Sequence, residues 1–121
     1  MCSMGAAGSA HGTFRRAIER GNLPMALVTA RELGRLTLDD ALALTALLAR
    51  LGDARFDAAA VRWLGRLAIE TQVALESLRL ATALVAALPD ERHGAVAQDL
   101  LAALVRRAPR AEARAARRPG A

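Results

Sequence analysis

Residues 21–36 read GNLPMALVTARELGRL and residues 52–67 read GDARFDAAAVRWLGRL, so one pattern recurs after 31 positions. Both copies begin with glycine, carry arginine at the eleventh position and end in Leu-Gly-Arg-Leu. A glycine turn followed by a helix has therefore been used twice. Such units bury little apolar surface alone and become stable by packing on neighbouring units. The repeat predicts stacked helical hairpins.

Composition and apolar spacing indicate an all-α fold. Alanine and leucine, which favour helices, dominate the 121 residues, whereas aromatic residues make up only 2%. The spacing of apolar residues predicts helices over 13–20, 23–33, 54–70, 74–88 and 91–107, and one more between Thr37 and Gly52. We expect five or six short antiparallel helices that pair in chain order as helical hairpins, in a bundle or a short repeat-like stack.

Capping residues mark the expected helix ends. The side-chain oxygens of Thr13, Thr37, Asp53 and Asp90 are predicted to accept hydrogen bonds from the free amides of the first helical turns. Gly34 suits the left-handed position that ends a helix.

The predicted third helix carries leucines on more than one side, so we expect it to contact neighbouring helices on two faces. Leu51 is predicted to lie on its buried side. The buried stripe of the sixth helix is predicted to consist of Val96, Leu100, Leu101 and Leu104.

The positive charge of the chain lies at its C-terminal end. The formal net charge is +5, and all seventeen basic residues are arginine. Residues 1–105 carry eleven arginines and eleven acidic residues, so this part is neutral. We expect a flexible N-terminal segment over 1–12, a helical domain over 13–107 and an arginine-rich flexible tail over 108–121. The tail has no large apolar residue to bury, which favours disorder.

Few residues suit catalysis or metal binding. Cys2 is the single cysteine, which excludes an intramolecular disulfide. Cys2, His11 and His93 lack metal-ligand spacing, and no serine lies in a Gly-x-Ser-x-Gly elbow. We therefore expect a non-enzymatic protein with no catalytic residues, no cofactor and no metal site.

The sequence also lacks the patterns of membrane and secreted proteins. No apolar run reaches the about 20 residues that a membrane helix needs. The N-terminus has neither the basic part nor the leucine-rich part of a signal peptide. We expect a cytoplasmic protein without membrane contact.

A cluster of arginines around the one tryptophan is the strongest candidate for a binding surface. The repeat predicts a partner-binding face on the second and fourth helices, because tryptophan and arginine are favoured at interfaces. The structural alternative is a core tryptophan beside a solvated basic stripe that pairs with Asp57, Glu70 or Glu19. The partner would be an unknown protein, and the candidate residues are Arg31, Arg35, Arg62, Trp63 and Arg66. A separate hypothesis is self-association through apolar surface left on the third or fifth helix.

The arginine-rich tail supports an alternative function, which is non-specific association with nucleic acid through charge. The tail has no aromatic residue that could stack on bases. A merely solvated tail is the structural alternative, and its first arginines would also favour the C-terminal end of a helix. The candidate residues are Arg106, Arg107, Arg110, Arg114, Arg117 and Arg118.

Several pieces of residues 14–105 occur in an order that resembles a known group. The run RFDAAAVRW over 55–63 follows LDDAL over 38–42 and precedes Leu88-Pro89. In this respect the chain resembles small helical proteins of unknown function from actinobacteria, which implies an all-helical fold and a high-GC bacterial source but no activity or site residues. The step Gly-Asn-Leu-x-x-Ala at residue 21 is similar to the turns of tetratricopeptide-like hairpins.

Overall fold

The computed structural model describes the backbone of residues 2–111 and the side chains of residues 10–111. Within this range the chain is all-α, as the sequence predicts, and it forms six helices. They are α1 (Cys2–Arg20), α2 (Leu23–Leu33), α3 (Leu38–Arg50), α4 (Phe56–Glu70), α5 (Leu75–Ala87) and α6 (Gly94–Arg107). The predicted bounds of α2 are confirmed, and those of α5 differ by one residue at each end.

The helices pair in chain order, which confirms the predicted hairpins: α1 packs on α2, α3 on α4, and α5 on α6. The third helix is the centre of the fold, because α3 also packs on α6, α1 and α2. The predicted two-faced packing of α3 is therefore confirmed. Its alanines allow neighbouring helix axes to approach closely.

The core has two parts, and α3 contributes a different side to each. Leu38, Leu42 and Ala46 pack with α4, α5 and α6 around Trp63 and Leu101. Ala43, Leu47 and Leu48 pack with α1 and α2 around Phe14. A helix that is apolar on two sides is stable only between two layers of neighbours, so α3 joins the N-terminal hairpin to the rest of the molecule.

The first helix begins earlier than the sequence predicts. Because α1 starts at Cys2, residues 2–12 are helical and the predicted start at Thr13 is wrong. The Thr13 hydroxyl lies inside the helix, 3.3 Å from an Arg16 nitrogen that donates to it. Alanine and methionine before Thr13 favour helix, and this preference outweighs the cost of the intervening glycines.

Two side-chain contacts to Asp40 hold α1 against α3. The Nε2 atom of His11 lies 2.9 Å from Asp40 Oδ2, and an Arg15 nitrogen donates to Asp40 Oδ1 at 3.1 Å. Asp40 is 6% exposed, and a buried carboxylate needs such partners. Its backbone amide donates to the Thr37 hydroxyl, so the predicted cap of α3 is confirmed.

Asp53 and Asp90 are predicted helix caps, but each caps a turn that precedes its helix. Asp53 Oδ1 accepts from the Arg55 amide at 2.8 Å, and α4 begins only at Phe56. Asp90 Oδ1 accepts from the amides of Arg92 and His93, and α6 begins at Gly94. A Cβ atom at Gly94 would lie 2.5 Å from the Leu88 carbonyl oxygen. This close approach of two backbones explains why the helix starts at a glycine.

The predicted buried stripe of α6 is partly wrong. Ala97, Leu101 and Val105 are buried, whereas Val96 and Leu100 are more than half exposed. The row at 97, 101 and 105 and the row at 96, 100 and 104 both have helical spacing and are offset by one residue. Packing on α3 and α5 therefore decides which row is buried. Leu51 is also exposed, because α3 ends at Arg50 and the chain turns away through Gly52.

The first residues of the predicted tail are held against the fold. The Gln72 amide donates to the Pro109 carbonyl oxygen at 2.7 Å, and Thr71 forms an isolated β-bridge with Arg110. These contacts correct the prediction of a flexible tail for residues 109 and 110. Arg114, Arg117 and Arg118 lie outside the described residues.

Candidate partner-binding site

The two copies of the repeat lie on either side of a groove. The helices α2 and α4 both pack on α3, and between them an open space of about 250 Å³ remains above α3. We call this space the leucine groove, because its apolar wall is made of Leu27, Leu36, Leu44 and Leu48. The first three of these leucines are only half-buried. The groove therefore presents apolar surface that the fold does not cover.

Arginines from α4 and the turn before it line the same groove. Arg55, Arg62 and Arg66 contribute to its wall. Arg55 is paired through its Nε atom with Asp53 Oδ1 at 2.9 Å. Hydrogen bonds from the Arg55 side chain and amide lower the pKa of Asp53 to about 2. Arg62 is exposed and makes no ion pair within the described residues, so its charge is available to a partner.

The last arginine of each repeat copy reaches the same carboxylate. An Arg35 nitrogen lies 2.8 Å from Glu70 Oε2, and Arg66 Nε lies 2.6 Å from the same oxygen. The hydrogen bond from Arg66 lowers the pKa of Glu70 most, and Arg35 lowers it further. Each copy of the Leu-Gly-Arg-Leu motif thus supplies one guanidinium group to the Glu70 carboxylate.

Arg110 extends this cluster into a second cavity of about 410 Å³. We call it the arginine cleft, and its lining residues are Arg35, Leu36, Thr37, Leu38, Arg66, Glu70 and Arg110. The bridge between Thr71 and Arg110 brings the start of the tail to this position. Three arginines line the cleft beside a single carboxylate, Glu70, so the cleft carries excess positive charge.

Trp63 belongs to the core, although the repeat predicts it as a partner contact. Its side chain is 2% exposed, and the indole Nε1 donates to the Leu38 carbonyl oxygen at 2.9 Å. The ring therefore lies beneath the groove and joins α4 to the first turn of α3. The structural alternative for this residue, a core tryptophan, is correct, and its satisfied N–H explains how a polar ring is tolerated there.

The predicted arginines divide into two groups. Arg35, Arg62 and Arg66 lie along the leucine groove and the arginine cleft. Arg31 is exposed on α2 but lines neither cavity. The acids predicted as partners of the basic stripe are Asp57, Glu70 and Glu19. Of these, Glu70 forms ion pairs, with Arg35 and Arg66.

Sequence reasoning missed the groove leucines and the position of Arg110 beside Arg35. A signal for the leucines is present, because Leu44 widens the apolar face of α3 beyond what one neighbour can cover. No local pattern connects Arg110 to Arg35, since the long-range hydrogen bond between Gln72 and Pro109 brings Arg110 to the cleft.

A second apolar cavity, of about 400 Å³, lies between α5 and α6. Leu80, Leu84, Leu100 and Leu104 line it, together with Arg107. Its aliphatic side chains are partly exposed, but only one charged residue borders it. It therefore offers apolar surface with little that could select a partner.

A further pair of titratable groups in the described part of the chain is formed by His93 and Asp90. His93 Nδ1 lies 3.2 Å from Asp90 Oδ1 on the surface, and hydrogen bonds from the backbone of Arg92 and His93 lower the pKa of Asp90. Among residues 2–111, no three side chains of the His, Cys, Asp or Glu type gather as a metal site would require. No described helix has both the length and the apolar character to span a membrane.

Comparisons of the chain with protein-family models, with curated proteins and with solved structures found no match. The resemblance to small actinobacterial helical proteins and the likeness to tetratricopeptide-like hairpins therefore stay predictions.

Proposed function

We propose that this chain is a non-enzymatic protein-interaction module that binds its partner in the leucine groove. One observation carries the proposal: half-buried leucines border the same open groove as the exposed Arg62, which has no ion-pair partner in the described part of the chain. Apolar surface with convergent polar groups at its edge is typical of binding sites in folded proteins.

The rigidity of the groove supports this function. Its floor belongs to α3, whose residues pack into both parts of the core. Trp63 ties the α4 wall to the start of α3. Because these contacts already hold the side chains of the groove, little conformational entropy is lost when a partner binds. A small entropy loss favours affinity.

The experiment compares two charge reversals on exposed arginines. Arg62→Glu changes the groove, whereas Arg79→Glu changes an exposed position on α5 that lies outside it. We expect a protein that co-purifies with the wild-type chain from its native host to be lost with Arg62→Glu and retained with Arg79→Glu. If Arg62→Glu retained every co-purifying protein, the groove would be excluded as the binding face.

Non-specific nucleic-acid association through the tail is a second proposal, and the position of Arg110 favours it. Arg110 shares the arginine cleft with Arg35 and Arg66, so positive charge extends from the tail onto the folded surface. Such charge attracts phosphate groups and gives affinity that falls steeply with salt.

Truncation after Ala111 tests this second proposal while keeping the contact between Gln72 and Pro109. We expect the full chain to bind a DNA duplex at about 50 mM salt and to lose most of that affinity at about 200 mM. The truncated chain lacks Arg114, Arg117 and Arg118 and should bind much more weakly. A DNA affinity that did not change with salt, or that was the same after truncation, would contradict the proposal.

A further inference from the structure

The leucine groove and the arginine cleft form one continuous surface. Leu36 and Arg66 line both cavities, so the apolar wall passes directly into the cluster around Glu70. Along this surface stand five arginines, whereas the acids paired with them are Asp53 and Glu70. The surface is therefore apolar in its centre and basic along its edge and at one end.

We infer that the occupant of this surface is an acidic amphipathic helix of a partner protein. This inference rests on the proposed function, and it adds the chemistry of the partner. Leucines or similar side chains on one face of that helix would cover Leu27, Leu36 and Leu44. Aspartate or glutamate beside that face would pair with Arg62 at the edge and with Arg110 in the cleft.

A helical occupant suits the shape of the groove. The floor is one face of α3, with Ala41, Leu44, Thr45 and Leu48 at spacings of three and four residues. An apolar stripe of this kind matches a helix whose own apolar residues recur at the same intervals. The walls α2 and α4 are separate helices on either side of it, so a third helix would complete the layer above α3.

An acidic occupant suits the charges. Arg35 and Arg66 share the single carboxylate of Glu70, and Arg110 and Arg62 make no ion pair within the described residues. A carboxylate brought by the partner would form charge-assisted hydrogen bonds with these groups. A second copy of this surface would instead oppose like charges, and a nucleic acid would leave the leucines uncovered.

Designed peptides test the inference directly. The first is an 18-residue helix with leucine on one face and glutamate on the flanking positions. The second replaces every glutamate by lysine, and the third keeps the acidic composition in a scrambled order without an apolar face. Each carries a fluorescent label, and its anisotropy reports binding to the full chain.

We expect the acidic amphipathic peptide to bind at least about tenfold more tightly than either control peptide. Arg62→Glu should weaken that binding by about tenfold, because the edge charge then repels the peptide. Arg79→Glu, which lies outside the surface, should leave the affinity unchanged. Circular dichroism of both variants, which differ from the wild type only at exposed positions, checks that they are folded.

The outcomes separate this inference from the proposed function. Equal binding of the acidic and basic peptides would contradict the inference that the partner is acidic. If the scrambled peptide bound as tightly as the acidic amphipathic peptide, the inference that the partner is an amphipathic helix would fail. If no peptide bound but Arg62→Glu still released the co-purifying protein, the inference would fail and the proposed function would stand. If neither assay responded to Arg62→Glu, both would fail.

Discussion

At the scale of single residues, the difference between the two repeat copies matters most at Trp63. The first copy has the exposed Glu32 at the equivalent position, whereas Trp63 is buried and donates to the Leu38 carbonyl oxygen. One indole therefore joins α4 to α3 immediately beneath the groove. Arg62 and Arg66 line the groove above it, so the buried ring supports their position from below.

Replacement of this side chain tests its structural role. We expect Trp63→Phe to lower the free energy of unfolding by about 1–3 kcal/mol, because it removes the hydrogen bond and leaves unfilled volume. Urea titration followed by circular dichroism measures the change, since the variant has no tryptophan for fluorescence. Glu32→Gln, at the equivalent exposed position, should change stability by less than about 0.5 kcal/mol. An equally small effect of Trp63→Phe would contradict this assignment.

At the scale of helices, the same Leu-Gly-Arg-Leu run has two different structures. In the first copy Gly34 has φ of 80° and ends α2, and its amide donates to the Ala30 and Arg31 carbonyl oxygens. In the second copy Gly65 lies inside α4, in agreement with the helix predicted over 54–70. Thr37 restarts the chain as α3 three residues after Gly34, whereas Leu67 continues α4 into the core.

Alanine substitution should therefore have opposite effects at the two glycines. Gly34→Ala forces a left-handed backbone on a residue with a Cβ atom, and we expect it to destabilise the protein by about 1 kcal/mol. Gly65 has open space around it, and Gly65→Ala should stabilise α4 by up to about 1 kcal/mol. Urea titrations of the two variants, each compared with the wild type, measure both effects. The same sign of change at both sites would refute the distinction.

The open space at Gly65 also bears on the surface of α4. A close approach of another helix within the described chain does not explain this glycine, because no atom lies near its would-be Cβ. Val61 and Ile69, one turn before and after it, are 70% and 78% exposed. Val61, Gly65 and Ile69 therefore form an exposed row on α4, distinct from the groove side of the same helix, which carries Arg62 and Arg66.

At the scale of the whole molecule, ion pairs and hydrogen bonds to carboxylates make the stability of the fold depend on pH. The pKa values of Asp53, Glu70 and Asp90 are all lowered in the folded protein, chiefly by Arg55, by Arg66 and by the backbone near Arg92. These carboxylates bind protons more weakly when folded than when unfolded. They therefore add stability above their unfolded pKa values, which lie near about 4.

Stability should consequently fall as the pH drops from about 4 through the folded pKa values, one of which is about 2 for Asp53. Urea midpoints between these two pH values measure the loss. The double variant Asp53→Asn, Glu70→Gln should start less stable at neutral pH and lose less on acidification. A double variant with the same acid dependence as the wild type would show that these pairs are not responsible.

By itself, the sequence determined the helical class, the hairpin order and many helix ends. Gly34, Thr37 and Gly52 act within one turn of chain, and a local preference needs no distant partner to express itself. Only the tertiary structure decided which row of α6 is buried, since both rows have the same period.

The site likewise depended on tertiary structure. Arg35 and Glu70 are 35 positions apart, and Arg110 reaches them because the backbone of Pro109 and Arg110 pairs with Thr71 and Gln72. Of the arginines in the repeat, Arg62 and Arg66 line the groove and Arg35 lines the cleft, whereas Trp63, a candidate partner contact from the same pattern, is buried. A side chain's exposure is set by the helices that pack over it, and local spacing does not contain that information.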